Sequence, residues 1–432
     1  MANSKRYWSG MDELQETEAF KTIQGQEFQE TQSVDEFLSD ERLESTHTGR
    51  RDFLKFMGFG LTAATLAACE TPVIKSIPYT NKPEEVTPGV ANFYASTYYD
   101  GQDYVNALIK TREGRPIFVK SNTKTGVGHA NGRVIASVLS LYDSARVPSP
   151  MLNGEMSSWP EVDARIKNGL SGEGRNVLVT NTILSPSIHR AVKASGLEHI
   201  QYDAIDYGAF REAAKLDYGT PAFPSYKFDE AQAVVSIGAD FLGTFADSIF
   251  YEGNWVKTRN PENGKMSRLH VFETNMSLTG SNSDYRTRIK PSEHGKVATA
   301  LLKVISGQGV LPSLSEESLD AIRSAAKDLQ AAGKYGLVVA GSNDLDLQRV
   351  VNAINESLGA RGTTVEFADN GLYQGSTSDL FALTQDMASG KINTLIIADC
   401  NPAYDAANAG DFVGALGKVK TTVSTSMFAD ET

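Results

Sequence analysis

Cysteine is almost missing from this chain: Cys69 and Cys400 are the only two in 432 residues. They stand in unlike contexts, which excludes a disulfide framework and any zinc or iron–sulfur site built from the chain's own thiolates. Positive charge is also in deficit. Against 53 Asp and Glu there are 41 Lys and Arg, a net charge of −12, so the chain as a whole has no electrostatic footprint for nucleic acid or for anionic lipid. No stretch approaches the roughly 20 apolar residues of a membrane-spanning helix. The six histidines (His47, His129, His189, His199, His270 and His294) form no HExxH or comparable pair, and no GxSxG elbow occurs. The sequence offers no self-contained hydrolase or metal site.

What is present begins with a polar, acidic extension over residues 1–49. Its apolar residues, among them Tyr7, Trp8, Phe20 and Phe28, are too sparse for a core, and the composition reads as a disordered or marginally helical docking segment. The texture then changes. Arg50-Arg51-Asp52-Phe53-Leu54-Lys55 precedes about a dozen mildly apolar, Gly- and Ala-rich residues ending at Cys69. An arginine pair, an aromatic-Leu-Lys step and a weak apolar run make a twin-arginine export signal over 50–69, with Gly49 where such signals usually carry Ser or Thr. Leu66-Ala67-Ala68-Cys69 is similar to a bacterial lipobox. Either Cys69 is acylated and anchors the chain on the periplasmic side of the inner membrane, or cleavage falls nearby and Cys69 is a bystander. Residues 70–89 form a linker carrying Pro72, Pro78, Pro83 and Pro88.

The mature body is expected to be α/β. Over 90–150, the runs Phe93–Tyr99, Tyr104–Lys110 and Pro116–Lys120 predict a small antiparallel sheet with hairpin turns, and Val134–Tyr142 a helix. Apolar strands alternating with helices then predict parallel sheets covered on both faces. Strands are expected at Asn176–Thr180, His199–Tyr202, Ala233–Asp240, Arg268–Glu273, Tyr335–Gly341, Thr363–Phe367, Thr394–Asp399 and Thr421–Ser424. Helices are expected at Trp159–Asn168, Ser185–Ala194, Asp346–Leu358 and Ser376–Ser389. Two rounds of alternation suggest two Rossmann-like units, 151–310 and 311–432. The second stops just past a strand, and the chain reads as a fragment.

Three loops stand at strand ends, where open α/β sheets bind ligands: Ile237–Gly243, Glu273–Ser281 continuing through Arg286 and Arg288 to Pro291, and Ala398–Tyr404. None has GxGxxG spacing, and by spacing alone they are strand-to-helix turns as readily as a nucleotide site.

The order of the loops resembles the molybdopterin oxidoreductase family. A strand ending in Gly238-Ala239-Asp240 is followed by Arg288-Ile289-Lys290-Pro291-Ser292-Glu293 and later by Ala398-Asp399-Cys400-Asn401-Pro402. The resemblance implies pterin-dinucleotide loops at Gly238, Asp240, Arg288, Pro291, Asn401 and Pro402. It also exposes departures. The segments matching the family's cluster-binding cysteines, Phe93–Tyr99 and Gly132–Ser137, contain none. The metal-ligating Ser or Cys would fall near Asp203–Gly208, where Asp203 and Asp206 are the available ligands. With the signal, the lipobox and the Lys5-Arg6-Tyr7-Trp8 extension, the chain is similar to the large iron–sulfur subunit of alternative complex III; Phe241-Leu242-Gly243 and Met276–Asn282 fit that subfamily. This implies a non-catalytic half of a respiratory electron-transfer subunit, with vestigial pterin loops, no bound molybdopterin and no metal in this segment. The 4Fe–4S and 3Fe–4S clusters would lie beyond Thr432. The partners implied are a membrane quinol-oxidising subunit and multihaem cytochromes c. Two other readings stay open: a working periplasmic molybdoenzyme of the polysulfide or thiosulfate reductase type, and an unrelated lipoprotein binding a nucleotide-like ligand.

Overall fold

Alternating side chains set the first sheet. β1 (Asn92–Tyr99), β2 (Tyr104–Arg112) and β3 (Arg115–Ser121) pair antiparallel in that order. The β2–β3 turn has both Glu113 and Gly114 at positive φ, 48° and 78°, a backbone that matches the twist of a two-residue hairpin. Val105, Ala107 and Val119 share one face and close a small core with Val134, Val138 and Ile249. The opposite face carries Phe93, Lys110 and Phe118 directly across from one another. The helix expected from Val134 is a short one, Gly132–Ala136, N-capped by the Asn131 side chain and tightening into a 3-10 turn at Ser137–Leu141.

The computed structural model describes residues 86–125, 129–264 and 266–432, all within the unit Pro83–Thr432. The polar extension, Arg50, Arg51, Cys69 and the linker as far as residue 85 lie outside the described residues. Among the described residues no helix is long and apolar enough to cross a membrane.

After a small hairpin, β4 (Met151–Leu152) with β5 (Glu155–Met156), the chain is α/β with parallel sheets. β6 (Arg175–Thr180) and β7 (Glu198–Gln201) come first. β8 (Ser225–Tyr226), β9 (Ala233–Ile237), β10 (Arg268–Glu273), β11 (Tyr285–Arg288) and β12 (Gly336–Ala340) follow. Last are β13 (Val365–Glu366), β14 (Ile392–Ala398) and β15 (Thr421–Ser424). One four-stranded sheet has the order β15-β14-β6-β7 and the other β11-β10-β9-β12. Every pairing within these two sheets is parallel.

This order corrects the expected division at residue 310. The first sheet takes strands from both ends of the body, and the second is inserted between them in sequence. Alternation reveals that strands are parallel but not which strands pair, because pairing is decided by long-range packing. The expected strand at Thr363–Phe367 also leaves the parallel sheets: β13 makes only a two-residue antiparallel pair with β8. β11, polar in three of its four positions (Tyr285-Arg286-Thr287-Arg288), was not expected as a strand. Neither were the helices Gly208–Tyr218, Ser248–Lys257, His294–Ser306 and Glu316–Ala332.

Two cores result. β9 and β12 are buried at every position and pack with Leu301, Ile322, Leu329 and Ile354 from the covering helices. Val177, Val179, Leu395 and Ile397 pack with Leu380, Leu383, Met387 and Phe412. The strand ends are packed just as tightly. A Cβ on Gly341, one residue past β12, would sit 2.2 Å from the Gly238 carbonyl oxygen and 2.9 Å from the Ala239 Cα. Both are backbone atoms that no rotamer change can move aside. Gly341→Ala should therefore lower the free energy of unfolding by about 2–4 kcal/mol, read by urea denaturation; a variant as stable as the parent would refute this close approach.

Candidate functional site

In an open parallel sheet a ligand crevice lies beyond the carboxyl ends of the strands, where the strand order reverses. In the sheet β15-β14-β6-β7 the chain steps from β6 toward β7 and from β14 toward β15, so the reversal lies between β6 and β14. Asn181 and Asp399, the residues immediately past those two strands, line a cavity of about 180 Å³. In the other sheet the reversal lies between β9 and β12, where Gly238 and Gly341 meet. A second cavity of about 380 Å³ adjoins it, lined by His294, Ser342 and Asp344.

The first cavity is acidic. Asp100, Asp203, Asp399 and Asp405 line it together with Tyr202 and Cys400, and no Lys or Arg does. Asp203 is buried: its carboxylate accepts from the backbone N–H of Thr182 at 2.8 Å, the Thr182 hydroxyl at 2.5 Å and the Gly375 N–H at 2.9 Å. Asp206 accepts from the N–H groups of Gly208 at 2.5 Å and Thr377 at 3.2 Å. Both candidate ligands from the sequence are thus engaged in building loops. The Asp405 carboxylate accepts from the Tyr202 hydroxyl at 2.9 Å. Burial raises the Asp405 carboxyl above its ordinary value. Burial first, and then Asp405, Asp399 and Asp203, push the Cys400 thiol up to about 12, so at neutral pH it is a thiol and a poor nucleophile. Two lining residues have a backbone that side chains rarely adopt, Asp399 at φ 57° and Tyr373 at φ 49°. Such positions persist only where the surroundings over-determine them.

The loops singled out by resemblance fall on different sheets. Gly238 and Asp240 follow β9, Arg288 ends β11 and Pro291 opens the turn into the helix His294–Ser306; Asn401 and Pro402 follow β14 in the other sheet. Gly238 has φ 63°, and the His294 ring occupies the space its Cβ would need. Asp240 accepts from the Thr279 N–H at 2.9 Å and the Thr279 hydroxyl at 2.8 Å, which ties the β9 and β10 loops together. The Asn401 amide is engaged on both sides: its Nδ2 donates to Glu431 at 2.8 Å, and its oxygen accepts from the Thr432 hydroxyl at 2.6 Å and the Thr432 N–H at 3.1 Å. Arg288 is exposed. His294 meets the Ser342 hydroxyl through Nδ1 at 3.0 Å, its buried Nε2 has no partner, and burial lowers its pKa. Among the described residues no group of three or more His, Cys, Asp or Glu is arranged to hold a metal ion.

Sequence reasoning missed Asp100, Asp405 and Tyr373, and the buried layer behind them. Asp100 lies in the hairpin turn between β1 and β2 and holds that turn, accepting from the N–H groups of Gln102 at 3.0 Å and Asp103 at 2.7 Å. That turn is fixed to the body where Gln102 donates to the Thr244 carbonyl at 2.9 Å and accepts at its own carbonyl from the Tyr373 hydroxyl at 3.3 Å. Behind it, Asp103 is wholly buried and paired with Arg133. Asp103 Oδ1, Asp247 Oδ1 and the Tyr99 hydroxyl are buried without a partner. No local pattern marks these groups, since only the fold brings β1, the β1–β2 turn and residue 247 together.

No family model matches the chain, and no curated protein matches it. Among solved structures, a chain of the formyltransferase/hydrolase complex (FhcABCD) from Methylorubrum extorquens, solved with methylofuran, is similar over 63% of this chain and 80% of its own. The identity is 15% and the TM-score 0.42, a likeness too loose to carry an argument.

Asp247 gives the site a measurable pH signature. Burial, offset in part by the Phe250 N–H and reinforced by Asp103, raises its carboxyl from 3.8 to about 7. The folded state therefore holds this proton more tightly than the unfolded chain. Stability falls as pH rises across that window, and the full penalty stands above it. Asp247→Asn should flatten this fall and raise stability above pH 7 by on the order of 3 kcal/mol. Urea unfolding across the window checks it; an unchanged pH profile would count against a buried, proton-holding Asp247.

Proposed function

We propose that this chain is the non-catalytic, molybdopterin oxidoreductase-like half of an exported electron-transfer subunit in a respiratory quinol-oxidising complex of the alternative complex III type. One observation carries the non-catalytic part: three of the polar side chains that the resemblance places around a cofactor are engaged by the protein itself. Asp203 is held by Thr182 and Gly375, Asp240 by Thr279, and Asn401 by Glu431 and Thr432. The crevice at the β6/β14 reversal adds a second difficulty. A pterin dinucleotide brings phosphates, and four carboxylates with no lining cation oppose them. The residues lining this crevice do not fit that cofactor.

On this reading the α/β body is a scaffold whose surface serves partner contacts. Clusters carrying electrons to the multihaem cytochromes would use thiolates from outside these 432 residues, since Cys69 and Cys400 cannot hold one. The twin-arginine signal at Arg50 and Arg51 fits a protein exported already folded, alone or with a partner. Acylation at Cys69 would keep it on the periplasmic face of the inner membrane. Buried methylenes contribute about 0.8 kcal/mol each, so more than one acyl chain gives stable anchoring.

Metal and pterin analysis of the protein purified from membranes should find no stoichiometric molybdenum or tungsten and no pterin. Either at one per chain would sink the scaffold reading in favour of a working molybdoenzyme. Mass spectrometry of the mature N-terminus should find an acylated Cys69; an unmodified end would refute the anchor while leaving the scaffold reading intact.

A further inference from the structure

One face of the small antiparallel sheet closes the small core through Val105, Ala107 and Val119, though Tyr94 on that side is exposed; the other face has no such core. Register assigns that other face in rows. Phe93, Lys110 and Phe118 stand opposite one another, and the next row is Ala95, Leu108 and Lys120. Phe93 is 52% exposed and Phe118 41%. An exposed aromatic pair flanking a lysine, next to a leucine and a second lysine, is not how a solvated sheet face is ordinarily composed.

Charge on this sheet runs against the chain. From Tyr104 to Ser121 there are four cations, Lys110, Arg112, Arg115 and Lys120, and one acid, Glu113. Glu113 is turned away to accept from the Gly89 N–H at 3.0 Å. Neither Lys110 nor Lys120 has an acidic partner among the described residues. The deficit of positive charge that argues against anionic surfaces for the whole chain is therefore reversed on this face. Beyond a Debye length of roughly 8 Å, the acidic remainder of the molecule is screened.

We propose that the outer face of β1–β3 docks on an anionic lipid surface. Phe93, Phe118 and Leu108 enter the headgroup boundary, where aromatic side chains settle, and Lys110 and Lys120 meet the lipid phosphates. The geometry rests on the proposed anchor. About twenty residues separate Cys69 from Val90, a length that reaches at most roughly 70 Å. Phe93 lies just past that linker in sequence, so the tether is long enough to let β1 meet a membrane holding Cys69.

The test uses the full chain carrying Cys69→Ser, so that no acyl chain contributes. Its partition is measured on phosphatidylcholine vesicles with and without phosphatidylglycerol. Binding should appear only with phosphatidylglycerol and weaken as salt rises. Lys110→Glu with Lys120→Glu, and separately Phe93→Ser with Phe118→Ser, should each reduce it at least about tenfold, as expected for losing two near-surface contacts. Since all four side chains lie on the solvent-facing side of the sheet, the variants should keep the parent's melting midpoint by circular dichroism. A variant that melts lower is replaced by Lys110→Gln with Lys120→Gln, for which a smaller loss in the same direction is expected. Equal partition on both vesicle compositions, or binding that these changes leave untouched, would overturn the lipid surface and point to a protein on this face. An unacylated Cys69 in the native protein would remove the tether but not this result.

Discussion

The in-register pairing of β14 against β6 governs the architecture. Ile396 and Ile397 of one lie beside Leu178 and Val179 of the other, with all four strands of the second sheet inserted between them in sequence. Asn393, which is buried, fixes the start of this pair by donating to the carbonyl of Gly169 at 2.7 Å and to the Asn176 side chain at 2.9 Å. Arg175 ties the same end to Glu198 at 2.5 Å and to Asp386. Without this pair there is no strand-order reversal and no cavity between Asn181 and Asp399. The loops of β6, β7 and β14 would also lose their common edge.

At that edge a familiar layout meets unfamiliar chemistry. The cavity lies where an α/β sheet binds its ligand, and strained residues at Asp399 and Tyr373 border it. Much of its hydrogen-bonding capacity is nonetheless turned inward, through Asp100, Asp203 and Asp405. Asp203 closes one loop on another, and its distance to the Gly375 N–H leaves no room for a side chain at residue 375. A carboxylate already accepting three hydrogen bonds from the protein gains little by also meeting a ligand. These bonds hold the loops after β6 and β7 against the segment around Gly375.

How much of this was legible in sequence depends on the range of the interaction. The alternating strands β1 to β3, and the apolar runs that became β6, β9, β10, β12 and β14, were visible because burial on one face or on both leaves a local pattern. The missed β11 is polar because it lies at a sheet edge. β13 was misassigned to a parallel sheet because a short apolar run does not show its partner. The site residues divide the same way. Asp399 and Cys400 lay in a stretch singled out as a strand-end loop and Asp203 in one singled out by the family resemblance, whereas Asp100, Tyr373 and Asp247 come from three separate segments. Charge and apolarity alone gave them no signature.

Electrostatics is where the average over the chain misleads most. A net charge of −12 describes no particular surface. The small sheet shows this within a few residues. At one end of β1, Tyr99 and the neighbouring Asp103 are buried against the body, with polar atoms that lack partners. At the other end, Phe93 faces solvent beside Lys110. Burying Asp103 requires Arg133 as its counter-ion, so that cation serves the interior, while Lys110 and Lys120 have no such role. A cation held neither by an acid nor by a core is free to act outward. Such cations grouped with exposed aromatics on one face are a more specific indication of an external partner than the sign of the whole chain.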